Sequence, residues 1–306
     1  MRHGIMAPVN SFPPPSSSMR AYGALAATLL LWAVSFPATK MAMQSFGAGE
    51  LALLRFAISS VALLAYARSR ELPLPEIADM PRLAVVGLLA VTTYQVGFNF
   101  GLLRISSGPA AVLIDTIPVW AALFSALLLR ERLRAAGWAG LAVGLAGAVL
   151  IAVGERGADA GAFAAGTGPG LLLMAAVAFA AAAVLQKPLL AKYGALQVTA
   201  WSFIFGTAGL MWAVPDLLPQ VQAAPRRAML AVLFLALFPG ALAYLLWNQA
   251  LARLPVALAA SSLYLVPPLT FVAAWLWLGE VPGPLSWAGA AVALAGVALV
   301  QFKGRA

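Results

Sequence analysis

The chain has 306 residues, 63% of them hydrophobic and only 9% charged, against about 25% charged in a soluble domain, so it is a membrane protein. Cysteine is absent, which excludes disulfides, thiolate chemistry and cysteine-ligated metals. The net charge of +9 is carried in short stretches between apolar runs, where it orients spans and offers no groove for nucleic acid.

The first twenty residues, with Pro13, Pro14 and Pro15 ahead of three serines, suit neither a regular helix nor a core and are read as a disordered tail. A cleaved signal peptide is the alternative, but no short apolar run ends at a small-residue cleavage site there. From Ala21 onward, apolar runs of bilayer length follow one another. They lie near 21–43, 48–67, 82–103, 108–129, 136–153, 169–190, 196–218, 228–250, 256–278 and 285–302. The expected architecture is an all-α integral membrane protein of ten transmembrane helices. Counted at alternate ends, thirteen basic residues, Arg68, Arg70, Arg130 and Lys192 among them, fall on the N-terminal side. Four, Arg104, Arg156, Arg226 and Arg227, fall on the other. This imbalance predicts cytoplasmic N- and C-termini.

The stretch 99–150 recurs without a gap at 248–299. One offset of 149 residues carries Asn99 onto Asn248, Arg104 onto Arg253, Pro118 onto Pro267 and Glu131 onto Glu280. It also superposes Trp138-Ala139-Gly140 on Trp287-Ala288-Gly289. Agreement among Asn, Arg, Pro, Glu and Trp signals an internal duplication. Five helices per copy is an odd number, so the second copy is expected upside down relative to the first. The organisation is then a tail (1–20), a first five-helix repeat (21–153), an outer loop (154–168), an inverted second repeat (169–302) and a short cytoplasmic tail (303–306). Inverted repeats typify secondary transporters, which hold substrate near the midplane between the copies.

Three sets of residues carry a more specific resemblance: Leu31-Trp32-Ala33-Val34-Ser35-Phe36 in the first span, Arg55-Phe56 in the second, and proline-bearing fourth and ninth spans running into Leu-x-Glu. With the five-plus-five order, the chain resembles the drug/metabolite transporter superfamily, EamA-type, and within it the YddG-like amino-acid and metabolite exporters. The resemblance covers nearly everything after residue 20. It implies a basket of helices around a central cavity, the fifth and tenth helices outside it, in the cell inner membrane.

The repeat also shows where polar groups enter the spans. Gln95 and Asn99, at i and i+4, share a face of the third helix; their counterparts are Tyr244 and Asn248, and Asp115 corresponds to Tyr264. Such groups would be costly against lipid, so all six are expected to look inward, as a cavity wall or as interhelical hydrogen bonds. Gln95, Asn99 and Asp115 are assigned to the outer half of a pathway, and Tyr244, Asn248 and Tyr264 to the inner half. Asp115 lies ~12 Å below its helix end, close to the midplane. It is expected to contact a substrate ammonium, couple to protons, or pair with Lys40 or Arg55. Glu50 is read as solvated or paired with Arg55. Glu131 and Glu280 are read as capping the following helix or pairing with local arginines.

Pro118, Pro239 and Pro267 are the hinge candidates, because each removes a backbone donor within a span. Gly137, Gly140, Gly144 and Gly147, echoed by Gly289 and Gly296, form a small-residue surface whose partner, in this chain or a second copy, is left open. Trp32, Trp120, Tyr94, Trp247 and Tyr264 are candidate aromatic walls, Trp32 and Tyr264 foremost; Trp138 and Trp287 suit interface anchors. No HExxH, GxSxG or Walker A motif occurs, and no enzyme activity, cofactor or metal is expected. The expected partners are a small-molecule substrate and the bilayer, with monomer or homodimer undecided. The reading is an alternating-access exporter of small metabolites, amino acids first. A multidrug or organic-cation exporter, which this superfamily builds on a first-helix glutamate missing here, and a non-transporting scaffold are the alternatives.

Overall fold

The computed structural model describes residues 15–104, 107–156, 167–270, 272 and 283–304. Among them every regular element is helical. Seven helices are long and apolar enough to cross a membrane, and Met19–Ala33 and Val256–Thr270 are shorter apolar helices. One of the seven, Thr167–Ala208, is two helices merged across Gly194, whose φ of 76° lies in the left-handed region. Glycine adopts that conformation at little cost, so the chain can turn there without a loop.

In chain order the elements are α1 (Pro15–Ala33), α2 (Ser35–Ala42), α3 (Ala48–Ser69), α4 (Met80–Gly87), α5 (Tyr94–Leu102), α6 (Ser107–Ile114), α7 (Ile117–Leu128) and α8 (Ala135–Arg156). After them come α9 (Thr167–Ala208), α10 (Val214–Ala223), α11 (Arg226–Leu235), α12 (Ala243–Leu251), α13 (Val256–Ser261) and α14 (Pro284–Lys303). Two π-helical segments, Leu88–Thr93 and Ala236–Leu242, join α4 to α5 and α11 to α12.

The backbone carries the offset found in the sequence. Shifted by 149 residues, α5 covers α12 from first residue to last, α6 and α8 begin where α13 and α14 begin, and the first π segment falls within the second. The break between α6 and α7, at Asp115 and Thr116, falls at the end of the 3-10 turn Ser262–Leu265. Pro118 and Pro267 each follow such an irregular turn, and Pro239 lies within a π segment. A proline withholds the N–H that a regular ladder would use, so irregularity gathers beside it.

Two boundaries differ from expectation. Helix α1 begins at Pro15, so residues 15–20 are helical and not tail; proline is tolerated in a first turn, where its N–H would have no partner anyway. The expected span 196–218 ends at Ala208, and a 3-10 turn and the separate helix α10 follow. Pro215 and Pro219 withhold donors there, and no residue of α10 is buried. Glu280, residues 1–14 and the loop 157–166 lie outside the described residues.

Contacts between segment ends show which ends share a side. Tyr22 donates to Gln301 (3.2 Å), the Arg134 amide to the Gly304 carbonyl (3.1 Å), and Lys192 pairs with Asp79 (2.7 Å) and Glu76 (2.8 Å). At the opposite end the Gly47 amide donates to Gln220 Oε1 (2.8 Å), and Trp212 lies beside Phe100. Each of these contacts joins two ends that the alternation of basic residues assigns to one side.

The glycine surface of α8 meets α14 of the same chain. A Cβ on Gly147 would lie 2.4 Å from the Ala293 nitrogen, and one on Gly296 would lie 2.3 Å from the Gly144 nitrogen. Only hydrogen at these positions lets the two backbones approach so closely.

Candidate functional site

The centre of the body is aromatic. Trp32 packs edge-on to Phe179 (5.9 Å) and Tyr244 (5.3 Å) and lies 5.6 Å from Trp247. Tyr244 in turn meets Phe203 (5.1 Å) and Phe56 (6.1 Å), and Tyr94 lies 5.1 Å from Phe179 and stacks on Phe98. The Trp32 indole donates to the Pro239 carbonyl in the second π segment (3.1 Å), as an irregular helix backbone inside a membrane body requires. Thr28 of α1 and Ser59 of α3 likewise donate to the Ala243 and Ala236 carbonyls.

Beside this cluster is a cavity of about 10 Å³ between α4, the first π segment, α9 and α12, space for one water. Its polar lining is Gln186, Thr199, Ser202, Tyr244 and Asn248. Tyr244 and Asn248 were expected at such a site. Gln186, Thr199, Ser202, Phe179 and Phe203 were not, because they lie well upstream of the stretch 248–299 in which the duplication is read, and polar positions were sought in matched pairs. A signal did exist: Phe179, Ala182, Ala183 and Gln186 recur at i, i+3, i+4 and i+7, the spacing of one helix face.

The two asparagines make equivalent interhelical bonds. Asn99 Nδ2 donates to the Ala48 carbonyl at the start of α3 (2.9 Å), and Asn248 Nδ2 to Thr199 Oγ1 in α9 (2.8 Å). Of the two readings open for these residues, the geometry favours helix–helix bonding for both, with Asn248 Oδ1 left unsatisfied at the cavity. Gln95 is buried at 4% exposure.

Tyr264 departs from the expected placement on the inner pathway. It is fully buried in a separate cluster with Ala122, Leu141, Leu258 and Val297. A Cβ on Gly144 would lie 2.5 Å from its ring, so the glycine surface of α8 forms the slot that the ring fills. Trp138 and Trp287 are 40% and 47% exposed, in keeping with interface anchors.

Asp115 sits in the break between α6 and α7 at 8% exposure, and its Oδ2 has no hydrogen-bond partner. Among the described residues the ion pairs all involve Asp79 or Glu76, so none joins Asp115 to Arg55; the Lys40 side chain lies outside them. Glu50, expected in water or on Arg55, is 9% exposed and folds back on Gly47: a Cβ there would lie 2.1 Å from its Oε2.

Glu131 caps a helix, but not the following one. Arg130 takes a φ of 58°, which turns the chain under α7, and Glu131 Oε2 accepts the Val256 N–H at the start of α13 (2.8 Å). Burial pushes the Glu131 carboxyl up, opposed by the Lys187 charge and by the amides at the α13 N-terminus. Lys187 itself donates to the Leu251 and Leu254 carbonyls, beyond α12. This joins the ends of α7, α9, α12 and α13 on the side of the chain termini.

Among the described residues the body is helical, with an aromatic centre, a small polar cavity and a buried carboxylate oxygen without a hydrogen-bond partner, an arrangement that suits a membrane transporter. The EamA-like transporter family model matches the chain twice, over residues 19–153 and 166–302. The chain belongs to that family. It is 38% identical over 93% of its length to a protein of Streptantibioticus cattleyicolor named "Probable terminal-alkyne amino-acid exporter", covering 94% of that protein. It is 31% identical to the "Uncharacterized transporter YdfC" of Bacillus subtilis (89% and 88% covered) and 26% identical to the "Uncharacterized inner membrane transporter YedA" of Escherichia coli (92% and 90%). A solved crystal structure shares the fold with a TM-score of 0.74 at 21% identity, covering 94% of this chain and 96% of that one.

Proposed function

We propose that the protein is a secondary carrier that exports amino acids or closely related small metabolites across the inner membrane by alternating access. With Gly194 counted as a break and the two shorter apolar helices as passes, the body makes ten crossings. Two inverted halves, 21–153 and 169–302, then rock about the aromatic centre, with both termini cytoplasmic. The observation that carries this reading is Asp115. A charged carboxylate inside a span costs about 2.5–3.5 kcal/mol on insertion scales, and this one lies buried with an oxygen that no donor among the described residues satisfies. A substrate ammonium or a proton is the partner it lacks. The 38%-identical amino-acid exporter supports the substrate class.

The test is uptake of labelled amino acids into proteoliposomes, with and without a pH gradient, for the full chain and for Asp115→Asn. The expected result is saturable amino-acid flux that the substitution abolishes or uncouples from pH. Flux of organic cations alone would replace the substrate class, and an Asp115→Asn protein with unchanged flux and pH dependence would remove the assigned role.

A further inference from the structure

The body holds a second unpartnered charge, which the reading so far does not use. Arg55 lies on α3 ~10 Å from the Ala48 end, and Asp115 lies ~12 Å from the Ser107 end on the same side. The two opposite charges therefore stand at one depth. The Arg55 guanidinium lies against its neighbour, with Cζ 5.3 Å from the centroid of Phe56. Phe56 is fully buried and packs against Phe203 and Tyr244, so the guanidinium stands at the edge of the aromatic centre. The Tyr94 and Tyr244 hydroxyls are its electrostatic neighbours, and Tyr94 is also a neighbour of Asp115. No hydrogen bond or ion pair reaches the guanidinium among the described residues, and its Nε is buried and unsatisfied. The side chain is nevertheless partly exposed.

We propose that Arg55 is the carboxylate-binding residue of the transport site, taking the anionic group of a zwitterionic substrate whose ammonium end is drawn to Asp115. This rests on the amino-acid reading above. Phe56 fixes the guanidinium face, which leaves its planar edge as a fork for two carboxylate oxygens. The Tyr94 and Tyr244 hydroxyls can donate to the same anion. A substrate carboxylate supplies the partner that Arg55 lacks; a ligand without one leaves the guanidinium unpaired, which is how a site rejects the wrong ligand.

The full chain in detergent is titrated with leucine, leucinamide and isocaproate, which carry both charges, the ammonium alone and the carboxylate alone. Binding is read by tryptophan fluorescence and by thermal shift. The expected result is that leucine binds roughly 10- to 100-fold tighter than leucinamide, the range for a hydrogen bond to a charged group, and that Arg55→Gln brings that ratio close to one. Arg55→Lys, which keeps the charge without the fork, should fall between and serves if the glutamine variant does not fold. Equal binding of leucine and leucinamide by the unaltered protein, or an unchanged ratio in either variant, overturns the assignment. If leucine does not bind but isocaproate does in an Arg55-dependent way, the carboxylate role stands and the amino-acid reading falls. If neither binds, both fall.

Discussion

Replacing Gly147 with alanine tests whether the α8–α14 seam holds the body together. The new Cβ would stand 2.4 Å from the Ala293 nitrogen and 2.7 Å from its Cα. These are backbone atoms of α14 and cannot rotate away, and favourable carbon contacts begin near ~3.5 Å, so the helices must part by about 1 Å along the seam. Overpacking of this kind costs roughly 1–3 kcal/mol. The counter-substitution Ala293→Gly removes the Cβ at 2.8 Å but leaves the nitrogen at 2.4 Å, so the double variant should stay destabilised. Gly23→Ala in α1 is the control. Nothing lies within 4 Å of that position, and alanine there should be neutral or stabilising by up to ~1 kcal/mol. The assay is unfolding of the detergent-purified full chain, with the oligomeric state followed by light scattering. Gly147→Ala as stable as the unaltered protein, rescue by Ala293→Gly, or a loss confined to dimers would refute the intramolecular seam.

Glu131→Ala should cost about 0.5–2 kcal/mol through loss of the α13 cap, read by the same unfolding assay. The folded chain holds the Glu131 proton more tightly than the unfolded one, so its contribution is largest below the ordinary value of 4.5 and declines as pH rises through the raised one; Glu131→Gln should lack that slope. Asn99→Ala and Asn248→Ala each remove one interhelical bond and should each lose about 0.6–1.7 kcal/mol, an effect of similar size in the two halves. Arg130→Gly relieves a φ of 58° and should stabilise or leave unchanged the turn under α7, by at most ~1 kcal/mol, provided flux and stability are measured on the same preparation.

Much of the helical layout was legible because hydropathy and the spacing of basic residues act through one physical requirement, the satisfaction of backbone polar groups in lipid. The offset of 149 was legible too, and it reappears in the bounds of α5 and α12 and in the two π segments. Boundaries failed where a local effect outweighed composition: Pro15 can begin a helix, and the seventh apolar run breaks after Ala208, ahead of a separate helix α10. The site was harder to read. Matched polar positions led to Tyr244 and Asn248, which line the cavity, but passed over Gln186, Thr199 and Ser202, which lie upstream of the stretch in which the duplication is read. Tyr264 was misplaced because its environment depends on Gly144, a residue on another helix whose importance lies in the side chain it lacks.

The polar residues inside the body fall into two groups by what holds them. Asn99 and Asn248 give amide protons to neighbouring helices at 2.9 and 2.8 Å, so each is part of the helix packing and should resist being separated from it. Asp115 and Arg55 have no such partner among the described residues, although burial makes an unpaired charge the costlier of the two cases. A body that pairs the Nδ2 groups of both asparagines yet leaves two opposite charges open among its described residues has not been optimised for its own stability there. The same logic sets a measurable contrast: replacing Asp115 by Asn or Arg55 by Gln should stabilise the empty protein or leave it unchanged, while the asparagine variants lose stability. If all four variants are destabilised alike, the two charges are structural and the binding roles given to them are wrong.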